Sequence, residues 1–204
     1  MKSIEVDVRE PKIAFLLANA FKKIIKNCKK EDIPKLEREY QKFKTKLYSS
    51  RESYLNSKFK DPVRLERYNS MDWYKGQMNL ENLGVWPEMQ GLAIELTIGN
   101  VPETAEHVKK ALEGKLNGKV PEKFLTKLKS MENISEFIYN NFPLIVFSGG
   151  EVREKDHNRW IRVNNLIYPE CKVYEGDIDD GCSRAIFYEL NGIKKAPVYR
   201  GRNK

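Results

Sequence analysis

Apolar and polar positions first recur at helical spacing. In residues 11–30, Ile13, Leu17, Ala20, Phe21, Ile24 and Cys28 form one stripe, and Lys22, Lys23, Lys26, Lys29 and Lys30 fall largely outside it. Ile33, Leu36, Tyr40, Phe43 and Leu47 repeat the pattern after Asp32 and Pro34, a residue pair suited to a helix start. Two antiparallel helices with a short connection at 29–32 are expected, and the second seam is also a candidate homodimer face. Asp61 and Pro62 open another element, with Val63, Leu65 and Tyr68 available for packing and Gly76 as its stop.

Between 91 and 100 the period changes to two. Leu92, Ile94, Leu96 and Ile98 alternate with Ala93, Glu95 and Thr97, which predicts a strand with Glu95 and Thr97 on its second face. Helical patterns follow from Pro102 to Gly114, in "PEKFLTKLKSM" and in "NISEFIYNNF", with Asn133 as the cap of the last. The continuous apolar run "PLIVFSGG" predicts a central strand over 144–147, next to 92–98 in one sheet. "RWIRVNNLIY", "CKVYEG", "RAIFYEL" and "IKKAPVYR" lean towards strand, and the last two flank Asn191-Gly192, a hairpin signal. The expected class is α+β: N-terminal helices followed by a mixed β-sheet with a C-terminal β-hairpin. One domain over 1–204 is expected, with a helical hairpin in 1–60 and an α/β core in 61–204.

Composition narrows the setting. The chain has 204 residues, and 37 Lys and Arg against 29 Asp and Glu give a net charge of +8. Such an excess favours a polyanionic partner, DNA or RNA. No apolar run reaches the roughly 18 residues of a membrane span, and the N-terminus lacks the apolar stretch of a signal peptide. Cys28, Cys171 and Cys182 are scattered and odd in number, and with only His107 and His157 beside them they make no zinc pattern. A reduced, cytoplasmic setting of cellular or viral origin is expected, with no membrane partner.

Chemistry must come from elsewhere than the common phosphate and hydrolase loops, because no GK[ST] loop, GxGxxG or GxSxG is present. Two acidic groupings remain. One joins Asp72 to Glu95 and Thr97, with Glu88 as a further candidate; the other is Glu175, Asp177, Asp179, Asp180 and Glu189, whose 177–180 run reads as a hairpin loop. Carboxylates of this kind suit Mg²⁺, which takes hard oxygen ligands. Arg153, Lys155, Arg159 and Arg162 around Trp160 combine guanidinium donors with a stacking surface, as nucleic-acid contacts do. Lys22 and Lys26 are further phosphate contacts, or else part of a solvated helix face.

In its order of parts, the first grouping resembles the PD-(D/E)XK nuclease superfamily over roughly residues 70–150. There an acid precedes a strand with an E-x-K motif, and a crossover helix and another central strand follow. The resemblance implies Asp72 and Glu95 as Mg²⁺ ligands and a metal-dependent endonuclease. Thr97 stands at the family's lysine position and Met71 at its proline, so Lys109 or Lys110 on the next helix would supply the catalytic cation. Two other readings compete with it. One is a non-catalytic nucleic-acid-binding protein of viral or plasmid replication or packaging type; the other is a helical protein-interaction module.

Overall fold

The computed structural model describes residues 3–25, 28–85, 99–115, 120–148 and 174–204. The helical pair is there: α1 runs Arg9–Ile25 and α2 Ile33–Ser49, and they pack together. Leu17 and Phe21 of α1 and Leu36, Tyr40 and Leu47 of α2 are buried within this chain. Tyr40 packs edge-on against Phe21, Phe137 and Phe142, and its hydroxyl donates to the Asn141 carbonyl at 2.9 Å. The carboxylate of Asp32 accepts from the Lys29 amide at 2.9 Å, closing the connection rather than capping α2.

The next helices are α3, Glu52–Ser57, and α4, Pro62–Asn69. Asp61 caps α4 by accepting from the amides of Val63 and Arg64 at 3.0 and 3.2 Å. The element does not reach Gly76. Its helix ends at Asn69, and β2 extends from Met71 to Asn79 straight through Gly76. Two buried aromatics, Tyr68 and Trp73, span this junction, and the Trp73 indole donates to the Tyr68 carbonyl at 2.9 Å. Packing of those rings, not the glycine, sets the boundary.

The remaining elements are β1 (Ile4–Val6), β3 (Leu83–Gly84), α5 (Val101–Leu112), α6 (Glu122–Asn133), α7 (Ser135–Asn141), β4 (Leu144–Ser148), β5 (Gly176–Asp180), α8 (Cys182–Leu190) and β6 (Lys195–Asn203). The six strands form one mixed sheet in the order β1-β2-β6-β4-β5-β3. β4 is parallel to β6 and antiparallel to β5, so the apolar run lies inside the sheet as its pattern requires. The α+β class holds, with β6 as its C-terminal strand. The expected pairing of 92–98 with β4 is corrected, because β6 holds one edge of β4 and β5 the other; residues 92–98 themselves lie outside the described residues, as do "RWIRVNNLIY" and the first half of "CKVYEG".

Three more expectations are corrected. "RAIFYEL" belongs to α8, and Asn191-Gly192 ends that helix instead of turning a hairpin. Gly192 has φ +75°; its amide bonds to the Glu189 carbonyl and that of Ile193 to Tyr188, a left-handed helix cap that Asn-Gly serves equally well. The run 177–180 is no loop but strand β5, with Asp177 and Asp179 buried. Asn133 is the last residue of α6, and its amide donates to the Cys28 carbonyl at 3.4 Å, tying α6 to the end of the helical pair.

One apolar cluster runs from α1 to β6. On one sheet face Trp73 and Phe147 meet Tyr68, which in turn packs against Phe15 and Phe59. Gly201 makes room there, since a side-chain carbon at that position would come within 2.6 Å of Met71 Sδ and 3.2 Å of the indole. Leu144, Val146, Ile178 and Val198 fill the other side. Trp73→Ala removes the central ring and the indole donor. Urea denaturation should show a loss of about 3–5 kcal/mol; a loss under about 1 kcal/mol contradicts this account of the core.

Candidate functional site

Ionisable groups gather where β5 ends and α8 begins. The ladder between β4 and β5 shifts there, pairing Ile145 with Asp180 and Val146 with Ile178, which leaves Asp179 as the extra residue of a bulge. A bulge bends the strand and re-aims a side chain. The Asp179 carboxylate accepts from Arg64 Nε at 3.2 Å and the Tyr68 hydroxyl at 3.2 Å, and Arg64 Nη2 lies 3.2 Å away. Burial pushes the Asp179 carboxyl above its ordinary range, and the Arg64 charge pulls it back. Burial, with the Asp179 charge behind it, raises the Tyr68 phenol well above its usual value.

The next residues turn the chain. Asp180 accepts from Arg184 at 2.9 Å, one helical turn away, and Arg184 also reaches the Pro143 carbonyl at 3.4 Å. Between them Gly181 has φ +106°, and an added side-chain carbon would sit 2.6 Å from both Leu144 and the Arg184 guanidinium. Glycine is required here by conformation and by space. The thiol of Cys182 then donates to the Ile178 carbonyl at 3.6 Å.

Ser183, buried in the first turn of α8, accepts from Lys127 Nζ of α6 at 2.6 Å. The Lys127 amine is pushed down to about 8, chiefly by burial and then by the positive charges of Lys22 and Arg184; Asp180 and Cys182 act the other way. Chain segments from α1, α4, α6, β5 and α8 thus bring together two acids, several cations, a hydroxyl and a thiol. Shifts of this kind occur at functional sites and in structural ion-pair networks alike, and the cluster is a candidate site on that ground.

Of the residues expected from sequence, Lys22 belongs to this cluster, at the end of α1. Lys26, Glu88, Glu95, Arg153, Arg159, Trp160 and Arg162 lie outside the described residues. Asp72 is half-buried in β2 opposite Arg202, whose guanidinium lies 4.7 Å above the Tyr74 ring. Two pairs further along, Arg200 donates to Ser148 Oγ at 2.7 Å and to Glu175 at 2.6 Å. β6 and β4 lie between β2 and β5, and Asp180 is level with Ile145, Tyr199 and Lys75, so Asp72 and Asp179 are neither on paired strands nor at the same level of the sheet. Lys109 and Lys110 are exposed in the last turn of α5, with Lys110 3.6 Å from Glu106. No hydrogen bond or ion pair joins either to Asp72 among the described residues.

Metal ligation has limited support. No group of three or more His, Cys, Asp or Glu placed to hold a metal occurs among the described residues. Asp72 offers one carboxylate, and Mg²⁺ is often held by one or two with water and phosphate completing its shell.

Sequence reasoning missed Lys127, Ser183 and the partners of Asp179. Even Asp180 and Arg184, four apart, join the end of β5 to α8 and carried no helical signal. The others are 56 to 115 residues apart and meet only through the fold.

Burial of Lys127 has a consequence for stability. An unfolded lysine titrates near ~10.4, whereas the folded amine releases its proton near 8. Between those values the unfolded chain binds the extra proton, so stability rises with pH; the penalty is fully present below about 8. Urea denaturation of wild type and Lys127→Met at pH 7 and pH 9.5 isolates this effect, because tyrosine titration is common to both. Wild type should gain on the variant at the higher pH; an unchanged difference contradicts the burial account.

No protein-family model, curated protein or solved structure matches this chain. Its function is therefore read from its own residues.

Proposed function

We propose that the protein binds a polyanion, in the first instance nucleic acid. The observation that supports this best is the separation of charge. Of a net +8, the acids Asp179, Asp180 and Glu52 face internal cations, Arg64, Arg184 and the buried Lys12. Lys22, Lys23, Lys29, Lys30, Lys35 and Lys42 stay exposed on the helical pair and its connection, where they outnumber the exposed acids Glu31, Glu37 and Glu39, and Lys29 lies 3.9 Å from Glu31. Lys22 adds its charge to Lys127 and Arg184 at the end of β5, so cations are gathered there as well as scattered. Phosphate groups are the common polyanionic complement of such a surface.

The finer form of the proposal is magnesium-dependent hydrolysis of a phosphodiester. Asp72 and Glu95 would hold the ion, and Lys109 or Lys110 would balance charge on the phosphate. Magnesium supplies Lewis acidity and an acidified water at such a site. Support comes from the order of parts: an acid on β2, a following helix α5, and the inner strand β4. The non-catalytic binding protein needs only the charge.

Binding to DNA and RNA duplexes and single strands should weaken steeply as salt rises. Lys22→Glu should flatten the slope of log affinity against log salt by about one unit. Affinity absent at low salt, or indifferent to salt, removes the polyanion reading. Cleavage in magnesium that EDTA stops and Glu95→Gln abolishes supports the hydrolase; tight binding without cleavage leaves the binding protein.

A further inference from the structure

Charge on the helical pair is ordered along α2. Lys35, Arg38, Lys42 and Lys46 are exposed and follow one another at steps of three, four and four residues. At ~100° per residue they leave the helix within about 80° of arc, and at ~1.5 Å per residue the row is about 16 Å long. Leu36, Tyr40 and Leu47, buried on the other side, hold α2 on the core and turn the row outward. Among the described residues, no ion pair engages any of the four. Glu39 borders the row near Lys35 and Glu37 is turned about 100° from Arg38, but from Tyr40 to Arg51 the chain has no acid. The carbonyls at the negative end of α2 are occupied. Arg9 donates to those of Tyr48 and Ser50 at 3.2 and 2.8 Å, and the Ser49 and Ser50 hydroxyls donate to that of Lys46 at 3.1 and 2.6 Å. Gln41 and Thr45, exposed beside Arg38 and Lys42, are neutral donors of the kind that bond phosphate oxygens. No aromatic ring lies in the row: Tyr40 is buried, Phe43 is half-buried, and the Tyr48 hydroxyl donates to Glu10 at 2.8 Å. A single strand finds no stacking platform there.

We propose that this face of α2 is the surface on which duplex DNA docks, with the helix laid across the major groove and its cations on phosphates of both strands. The inference rests on the polyanion reading above and names the face and the form of nucleic acid. A row of about 16 Å exceeds the ~12 Å width of the B-form major groove, so its two ends reach the two phosphate walls. Duplex RNA has a deep, narrow major groove that this span does not match. The contacts are to phosphate alone, so they hold the duplex without reading its sequence.

Fluorescence anisotropy on the full chain tests this with short DNA duplexes of two unrelated sequences, over a range of salt. A row variant carries Lys35→Gln, Arg38→Gln, Lys42→Gln and Lys46→Gln; glutamine keeps the helix propensity, and circular dichroism checks folding. A control variant of equal charge carries Lys60→Gln, Lys123→Gln, Lys129→Gln and Lys195→Gln, all exposed and outside α2. The row variant should lose about three to four units of salt slope, at ~0.9 per phosphate contact, and at least about a hundredfold in affinity at low salt. The control should stay within about threefold of wild type, and the two sequences should bind alike. Equal losses in the two variants overturn the α2 surface and leave the polyanion reading standing, whereas a wild type that binds no nucleic acid at low salt removes both. Duplex RNA or single-stranded DNA bound as tightly as duplex DNA overturns the groove-crossing geometry. Loss of binding to vesicles of anionic lipid, with duplex affinity unchanged, overturns the proposal in favour of a membrane surface.

Discussion

A carboxylate inside a sheet has to be partnered, and much of this structure follows from meeting that demand at Asp179. With 9% of its surface exposed, Asp179 cannot keep its charge through water. Arg64 and Tyr68, both from α4, supply the hydrogen bonds. That requirement fixes how α4 lies on the sheet: Arg64 stacks on Phe15 at 5.1 Å and Tyr68 enters the ring cluster of Trp73 and Phe147. The bulge in β5 aims the carboxylate at them. Polar pairing and aromatic packing therefore specify the same placement.

The bulge also sets what comes next. Bending at Asp179 brings Asp180 level with Ile145, and the chain must then reverse in the tight space beside Leu144, which Gly181 permits. α8 starts at once, delivering Ser183 to Lys127 and Arg184 to Asp180. One buried acid is satisfied, and a half-buried amine is left with a hydroxyl partner and cationic neighbours. Positive charge is thereby concentrated where β5 ends.

The legible part of the fold was the part with a regular apolar pattern. α1, α2 and α5 show plain stripes, and the apolar run of β4 reads as an inner strand. β5 does not, because "GDIDD" has the composition of a turn and becomes a strand only through partners on α4 and neighbours on β3 and β4. Asn191-Gly192 misled for a different reason: a left-handed residue ends helices as readily as it turns hairpins. β2 was hidden by Gly76, which sits in an extended strand. At the site, Lys22 was visible as surface charge and Asp179 as part of an acidic run. Lys127 lies in a helical stretch with nothing in the sequence to mark it, and its setting comes only from the packing of α8 against it.

A thermodynamic cycle on Arg64 and Asp179 tests most directly whether the buried acid organises this region. Urea denaturation at pH 7 would compare wild type, Arg64→Met, Asp179→Leu and the double variant. Arg64→Met should cost at least about 2 kcal/mol, because it leaves the carboxylate buried without its cation. The double variant should recover most of that loss, as a matched apolar pair replaces a matched polar one. If Arg64→Met stays within about 0.5 kcal/mol of wild type, or the double variant loses the sum of the two singles, Asp179 does not hold this corner of the fold together.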